Sequence, residues 1–464
     1  MGPTLGLGMP PYDAAMKIHA SAQTDVGRKR EHNEDAFFTD ADLGVHAVCD
    51  GLGGLSAGEV ASRLACDTLR KFFRDHRAAL ESCRRTTNVF ERSEIMALVK
   101  DAVQAAHLAV RHAGSADDSC AGMCCTLVML LTMGRHVVVA HAGDSRAYLF
   151  RRNKVYPLTN DHTIAVEKVN AGLVPMQEMQ HAKGGLMTRC LGCPLPRIEP
   201  DVLVLEAMED DRYLLCSDGV TIHLTQEMLA AVAAQSTAAA MPADLVKYCN
   251  QLGGRDNITA VVVALSGFPP GHDNELAERF RLFRRMPIFC RLGIIELTRI
   301  LNRGHLAAYP TGAPIITDGA DDHRLFVCLS GRAEVRKNGH KLGVIRPGES
   351  CGEMAMLENA PRSADVVAVA PTALFILPRE EFVATMTREP WLAIKMLFPL
   401  TQHLNHRLRR LNEKQAQDAG AAEARNAAVP AVDFFTPMER EVPAVGDTAM
   451  EELCEALPQG LAGR

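Results

Sequence analysis

No apolar run in this chain is long enough to cross a bilayer. The longest, Cys124 to Met133, falls short of the ~20 residues that a spanning helix needs and reads as a buried strand. Positive charge is not in excess either: 50 Lys and Arg face 56 Asp and Glu, a net charge of -6. That balance argues against a general nucleic-acid binder, whose footprint would be basic. Residues 1–16 lack a basic start and a sustained apolar run, so no signal peptide is expected. The chain is therefore expected in the cytoplasm, with neither membrane nor nucleic acid as a partner. The 14 cysteines read as small buried hydrophobes in a reducing compartment rather than as a disulfide framework or zinc site. What is present is 464 residues, 47% of them apolar: enough for two or three domains with real cores.

Residues 17–265 alternate strand-like runs with helical stretches. Val45–Cys49, Leu127–Met133, His136–His141, Tyr148–Arg151, Val202–Leu205, Tyr213–Cys216 and Thr259–Leu265 are apolar or β-branched runs of strand length. Gly58–Arg74 and Ile95–His112 carry helical periodicity. The fold class expected is α+β, strands gathered into a layered sheet with helices outside. The Pro269-Pro270 pair sits among glycines in 266–275 and marks a linker. In 276–414, helices flank many short strand signals punctuated by Gly and Pro, the pattern of a small antiparallel roll. The tail, 415–464, is rich in Ala, Glu and Pro and is expected to be disordered.

Acidic residues recur beside Gly or Asn where predicted strands end. They are Glu34-Asp35, Asp50-Gly51, Gly143-Asp144, Asp218-Gly219 and Asp256-Asn257. Any one of these is a plain turn. Five feeding one sheet can converge, and packed carboxylates cannot all ionise without a counter-charge. Hard divalent cations, which prefer oxygen ligands, supply it.

The ordered set Arg30…Asn33-Glu34-Asp35, Asp50-Gly51-Leu52-Gly53-Gly54, Gly143-Asp144-Ser145-Arg146, Ser217-Asp218-Gly219 and Asp256-Asn257 resembles the type 2C metal-dependent serine/threonine protein phosphatases in their bacterial form. The resemblance covers roughly residues 17–265. It implies an α-β-β-α sandwich, with Mn²⁺ or Mg²⁺ at one edge and phosphorylated proteins as substrates. It further implies that Asp50 bridges two metals. Asp218 and Asp256 complete the first, Glu34 and the Gly51 carbonyl serve the second, and Asp35 holds water by hydrogen bonds. Arg30 falls where the family keeps its arginine for the substrate phosphate, and a planar guanidinium suits phosphate oxygens. The implied chemistry is attack by a water that two cations have acidified. Ile222 stands where the family often has an aspartate for a third metal, leaving Asp144 as the contributor that remains. His162 and His223 lie nearby and read as ordinary hydrogen-bonding histidines.

A second constellation is Gly352-Glu353-Met354-Ala355 followed by Pro361-Arg362-Ser363-Ala364. A Gly-Glu turn frees backbone N–H groups for an anion, and Arg362 adds a fixed positive fork; a surface turn with a Glu353–Arg362 salt bridge is the plainer reading. With Pro287-Ile288-Phe289, the Gly312 and Gly319 turns and Leu329-Ser330-Gly331-Arg332, residues 284–384 resemble the cyclic-nucleotide-binding domain of catabolite activator proteins and kinase regulatory subunits. That implies a β-roll with flanking helices holding cyclic AMP or cyclic GMP as regulatory ligand. Glu353 would meet the ribose hydroxyl, and Arg362, Ser363 and backbone amides nearby, Gly352, Met354 and Ala355 among them, the cyclic phosphate. Leu392, Met396, Leu400, Leu404, Leu408 and Leu411 recur at near-four-residue steps in the helix of 390–414. They fit either a protomer's own core or a homodimer seam, and the homodimer through this helix is the expectation carried forward. The leading expectation is a nucleotide-regulated phosphatase; the alternative is a catalytically silent nucleotide receptor or scaffold.

Overall fold

The computed structural model describes residues 16–53, 57–85, 92–170, 186–353, 356 and 360–426. Met354, Ala355 and residues 427–464 of the expected tail lie outside them. The first part of the chain builds two sheets. One has the strand order β1 (Lys17–Asp25), β11 (Ile258–Ser266), β10 (Arg212–Cys216), β7 (Arg146–Arg151) and β8 (Lys154–Pro157). The other runs β2 (Asp35–Asp40), β3 (Val45–Leu52), β5 (Leu127–Met133), β6 (His136–Ala142) and β9 (Asp201–Glu206), with the short β4 (Cys124–Cys125) also pairing with β3.

Alternation along the strands assigns the layers. In β5, Val128 and Leu130 join Val48, Leu149, Tyr213, Val261 and Val263 in the core between the sheets. Leu127, Met129 and Leu131 point the other way, beneath α1 (Ala57–Asp75) and α3 (Arg92–Ala116), beside which lies α2 (Arg77–Arg85). The opposite sheet buries Leu214, Cys216, Ala260 and Val262 under α6 (Gln226–Gln235) and α7 (Met241–Gln251). Two single-sheet cores and one shared core make the expected α-β-β-α sandwich. Two short helices, α4 (Ile164–Asn170) and α5 (Asp218–Thr221), complete this part.

The second part begins sooner than the Pro-Pro signal suggests: α8 spans His272–Arg284, inside the stretch expected to be linker. After α9 (Ile294–Arg303) come two four-stranded sheets. One has the order β12 (His305–Tyr309), β19 (Thr372–Leu377), β14 (Leu325–Ser330) and β17 (Ser350–Cys351); the other has β13 (Pro314–Ile316), β18 (Asp365–Ala368), β15 (Ala333–Lys337) and β16 (His340–Ile345). They enclose Ile316, Phe326, Cys328, Val366 and Ile376 as a roll. Helices α10 (Arg379–Arg388) and α11 (Pro390–Asn426) close it. Of the leucine series, Leu392, Met396 and Leu400 are buried in this protomer's own core, while Leu408 is exposed. The expected tail is corrected at its start: α11 runs to Asn426, twelve residues beyond Lys414. The reason is local, since 415–426 is mostly Ala, Gln, Glu and Arg, all good helix formers.

The 13 cysteines described are all unpaired. Cys190 and Cys193 have Cys-x-x-Cys spacing, and Cys124 lies beside Cys190, yet the three gather without a disulfide. No helix among the described residues is long and apolar enough to cross a membrane.

Candidate metal centre and anion pocket

Strand ends from both sheets meet at one edge of the sandwich. Asp35 opens β2 and lies directly opposite Asp50 near the end of β3. Asp144 follows β6, Asp218 follows β10, and Asp256 precedes β11. The chains are packed so closely here that side chains are excluded. A Cβ on Gly51 would lie 2.0 Å from the Gly58 carbonyl oxygen, and one on Gly219 would lie 1.9 Å from that of Asn257.

Neutral side chains fix the acids in place. The Asn257 amide accepts the Glu34 N–H at 2.8 Å and donates to the carbonyls of Val26 and His32 at 3.0 and 2.9 Å. Ser217 Oγ donates to Asp35 Oδ2 at 2.7 Å and accepts the Thr259 N–H at 3.0 Å. Thr126 Oγ1 accepts the Asp50 N–H at 2.9 Å, and Ser62 Oγ donates to the Glu34 carbonyl at 2.6 Å. Ser217 and Asn257 stand inside the quoted motifs without a role assigned by sequence. Ser62 closes the stretch Gly58-Glu59-Val60-Ala61-Ser62, which extends the second motif, whereas Thr126 carries no sequence signal, because only long-range contacts define it.

The electrostatics follow from the crowding. Asp50 is driven well above the usual carboxylate range by burial first, then by the charges of Asp35, Asp218, Asp144 and Asp256. Burial and the charges of Asp144, Asp256 and Asp35 push Asp218 up to about 7, against a hydrogen bond with Asp50. Asp35 rises to about 6, mostly through burial, despite hydrogen bonds from Thr259 and Ser217. Burial also raises Asp144 and Glu34, with Asp161 adding to the first and Arg30 opposing the second. Every acid and arginine expected at this site is thus brought together. Asp35 Oδ1 is buried without a hydrogen-bond partner. Such a set of oxygen donors, short of positive charge, fits hard divalent cations.

Arg30 is where the structure adds to the expectation. Its guanidinium clasps Asp256, with Nε 2.9 Å from Oδ1 and Nη2 2.9 Å from Oδ2, and lies 3.9 Å from Glu34. It serves here as a local counter-charge. Ile222, half exposed at the end of α5, offers no ligand.

A second close group of metal-type donors is His141, His162 and Asp201. Hydrogen bonds already engage all three. His162 Nδ1 accepts the Gly143 N–H at 3.3 Å, and His141 Nε2 meets the Asn160 carbonyl at 2.8 Å. Arg189 Nη1 sits 2.8 Å from Asp201 and 3.3 Å from His162 Nε2. A guanidinium occupies the place of a cation, and the network holds the Gly143-Asp144 turn. His223 likewise accepts the Arg255 N–H at 3.1 Å.

In the roll, Gly352 has φ +88°, and a Cβ there would lie 2.4 Å from Arg362 Nη1. Arg362 is buried, stacks over Phe326 at 5.4 Å, and donates from Nη2 to the Arg324 carbonyl at 2.6 Å. Its Nη2 also lies 3.2 Å from Asp322, while its buried Nε has no hydrogen-bond partner. Glu353 is buried, and its charge and that of Arg362 both act on Cys351. Ser363 is exposed. Asp322, which sequence reasoning missed, in turn binds Arg324 at 2.8 and 3.1 Å.

Comparison with known proteins finds two family matches. The protein phosphatase 2C family matches residues 23–256, and the cyclic nucleotide-binding domain matches residues 306–389. The serine/threonine phosphatase stp of Listeria welshimeri is 30% identical over 261 residues, covering 55% of this chain and 99% of that protein. The serine/threonine protein phosphatase PstP of Mycobacterium tuberculosis is 30% identical over 255 residues, 55% of this chain and 46% of that one. A solved structure of the Mycobacterium tuberculosis phosphatase PstP/Ppp aligns with TM-score 0.47 at 30% identity, over 54% of this chain and 99% of that chain.

Proposed function

We propose, from the premise that this chain belongs to the protein phosphatase 2C family and is a serine/threonine protein phosphatase, that two divalent cations serve its hydrolysis of phosphoproteins and that a cyclic nucleotide regulates it. The observation that carries the first clause is the gathering of carboxylates that hold one another's protons on. Glu34, Asp50, Asp144, Asp218, Asp256 and the Gly51 carbonyl would hold Mn²⁺ or Mg²⁺. Such cations, when bound, supply Lewis acidity and acidify water to a nucleophile at neutral pH. The chain's own residues do the rest. Asp35, oriented by Ser217, accepts a proton or hydrogen bond from water. Arg30 is exposed beside the acids and holds Asp256 through Nε and Nη2; with Asp256 given over to a cation, its planar fork would suit the equatorial oxygens of a phosphoryl group. The test is hydrolysis of a phosphothreonine peptide with Mn²⁺. No turnover, or turnover untouched by Asp50→Ala, sinks the reading.

The regulatory clause rests on the domain match and on Arg362, buried with a donor to spare. A route to the phosphatase is built in. On one side of α9, Asn302 donates to the Val204 carbonyl at 2.8 Å and accepts its N–H at 2.7 Å, and Ile295 enters the core between the two sheets. On the other, Arg299 pairs with Glu389 at 2.7 Å, and Glu296 with Lys395 at 2.7 Å. A ligand that favours one arrangement of α10 and α11 therefore acts on the same helix that grips β9. Phosphatase rates with and without cyclic AMP or cyclic GMP, with Arg362→Ala as control, decide it; equal rates reject regulation and leave catalysis standing.

A further inference from the structure

A groove of about 540 Å³ lies beside the acid edge, between β1 and α7. Gln23 and Asp25 of β1, the edge strand of its sheet, line one side, and Lys247, Asn250 and Gln251 of α7 the other. Arg28, from the turn after β1, lines it as well. The groove and the acid edge share a wall. The Arg28 N–H bonds the Gly254 carbonyl at 2.7 Å, two residues before Asp256. Two residues after Arg28, Arg30 clasps Asp256.

The charges in the groove are unequally satisfied. Asp25 Oδ1 is taken, by the Gly27 N–H at 2.8 Å and Asn250 Nδ2 at 3.0 Å. Arg28 and Lys247 are exposed and have no side-chain partner among the described residues, whereas Arg30 is spent on the acids. Two cations without partners in a concave surface favour a negatively charged occupant. The inference rests on the phosphoprotein hydrolysis proposed above, whose substrate is a polypeptide chain extending from the acid edge. Arg28 and Arg30 are two residues apart, at most about 7 Å. An extended substrate with its phosphate at the acid edge therefore reaches the groove two to four residues away.

We propose that this groove is the surface that reads the sequence around the phosphorylated residue, with Arg28 and Lys247 selecting acidic side chains two to four positions from it. Selection of this kind lies in binding the substrate rather than in the chemical step. It falls in KM, and it weakens with salt because both cations face solvent.

The experiment uses the full chain with Mn²⁺ and two sets of phosphothreonine peptides, bearing Glu or Lys at positions two to four on either side. The readout is the ratio of kcat/KM between acidic and basic peptides, which a loss of folded enzyme cannot alter. The expected ratio is about fivefold to tenfold for the wild type, carried by KM. It falls to about one in the Arg28→Ala, Lys247→Ala double variant, inverts in the Arg28→Glu, Lys247→Glu double variant, and is kept when Lys247 is replaced by Arg. A wild-type ratio near one, or a preference that survives in the double variant, overturns the proposal.

Discussion

The acid edge and the pocket of the roll handle buried charge in opposite ways. At the acid edge, like charges are gathered and held apart from their protons only at a cost, with Arg30 as a partial counter-charge at the rim. In the pocket, one buried cation, Arg362, meets an internal carboxylate, Asp322, and a carbonyl. The first site is incomplete in itself and gains from any divalent cation. The second is already neutralised, so an incoming anion must compete with Asp322. On the proposed reading, occupying the first site should stabilise the fold, and occupying the second should exchange one partner for another.

The largest test of that contrast is Asp50→Ala, which should lower kcat by roughly a hundredfold to a thousandfold on a phosphothreonine peptide. It should also abolish the stabilisation by Mn²⁺ expected of the wild type, about 2.7 kcal/mol at a hundredfold excess over Kd and read as a rise in Tm. The halves should next separate by pH. Four of the five buried histidines among the described residues, His46, His107, His141 and His162, lie in the phosphatase half; the fifth, His272, opens α8. His46, with neither ring nitrogen partnered, is lowered to about 4 by burial. Its folded pKa lies below the unfolded value, so its contribution is complete above pH 6.5 and is lost as pH falls toward 4, roughly 3 kcal/mol in all. Acid also relieves the crowded carboxylates of the same half, whose folded pKa values are raised, so the test is the difference between variants: His46→Leu should lessen the loss of stability of the phosphatase transition between pH 6.5 and 4, read by calorimetry against the wild type.

Arg362→Ala should weaken cyclic nucleotide binding by about a hundredfold in calorimetric titration, as loss of a buried charged partner does. Asp322→Asn should do the reverse and tighten it by about tenfold, because the competing carboxylate is gone. Weaker binding in Asp322→Asn would show that the ion pair shapes the pocket rather than competes for it. The smallest effect is expected from Asp218→Asn without metal. Removing one of the crowded carboxylates should raise Tm at pH 8 by about 2–4 °C while activity falls. A drop in Tm would mean that the Asp50–Asp218 hydrogen bond outweighs the repulsion.

Much of the acid edge was legible because its acids sit in short local signals, an Asp beside Gly or Asn at the end of an apolar run. Strand β5 shows the same: seven residues buried on both faces read as one continuous run, and its limits match. What sequence hides is set by distance along the chain. Asp322 comes 40 residues before Arg362 and lies in an ordinary polar stretch. Arg30 carries no mark that it folds onto Asp256 rather than standing free. The extra turns of α11 were obscured by composition, since Ala and Glu are common to helices and to disordered tails.

The Asn302 clasp also bears on where this chain can be cut. Strand β9 ends its sheet, and a single side-chain amide takes both the N–H and the carbonyl of Val204, as a further strand would. A fragment stopped at Ser266 would look whole by its sequence motifs yet bare that rung to solvent. Open rungs recruit strands from other molecules. Such a fragment should self-associate, and one extended through Arg303 should stay monodisperse.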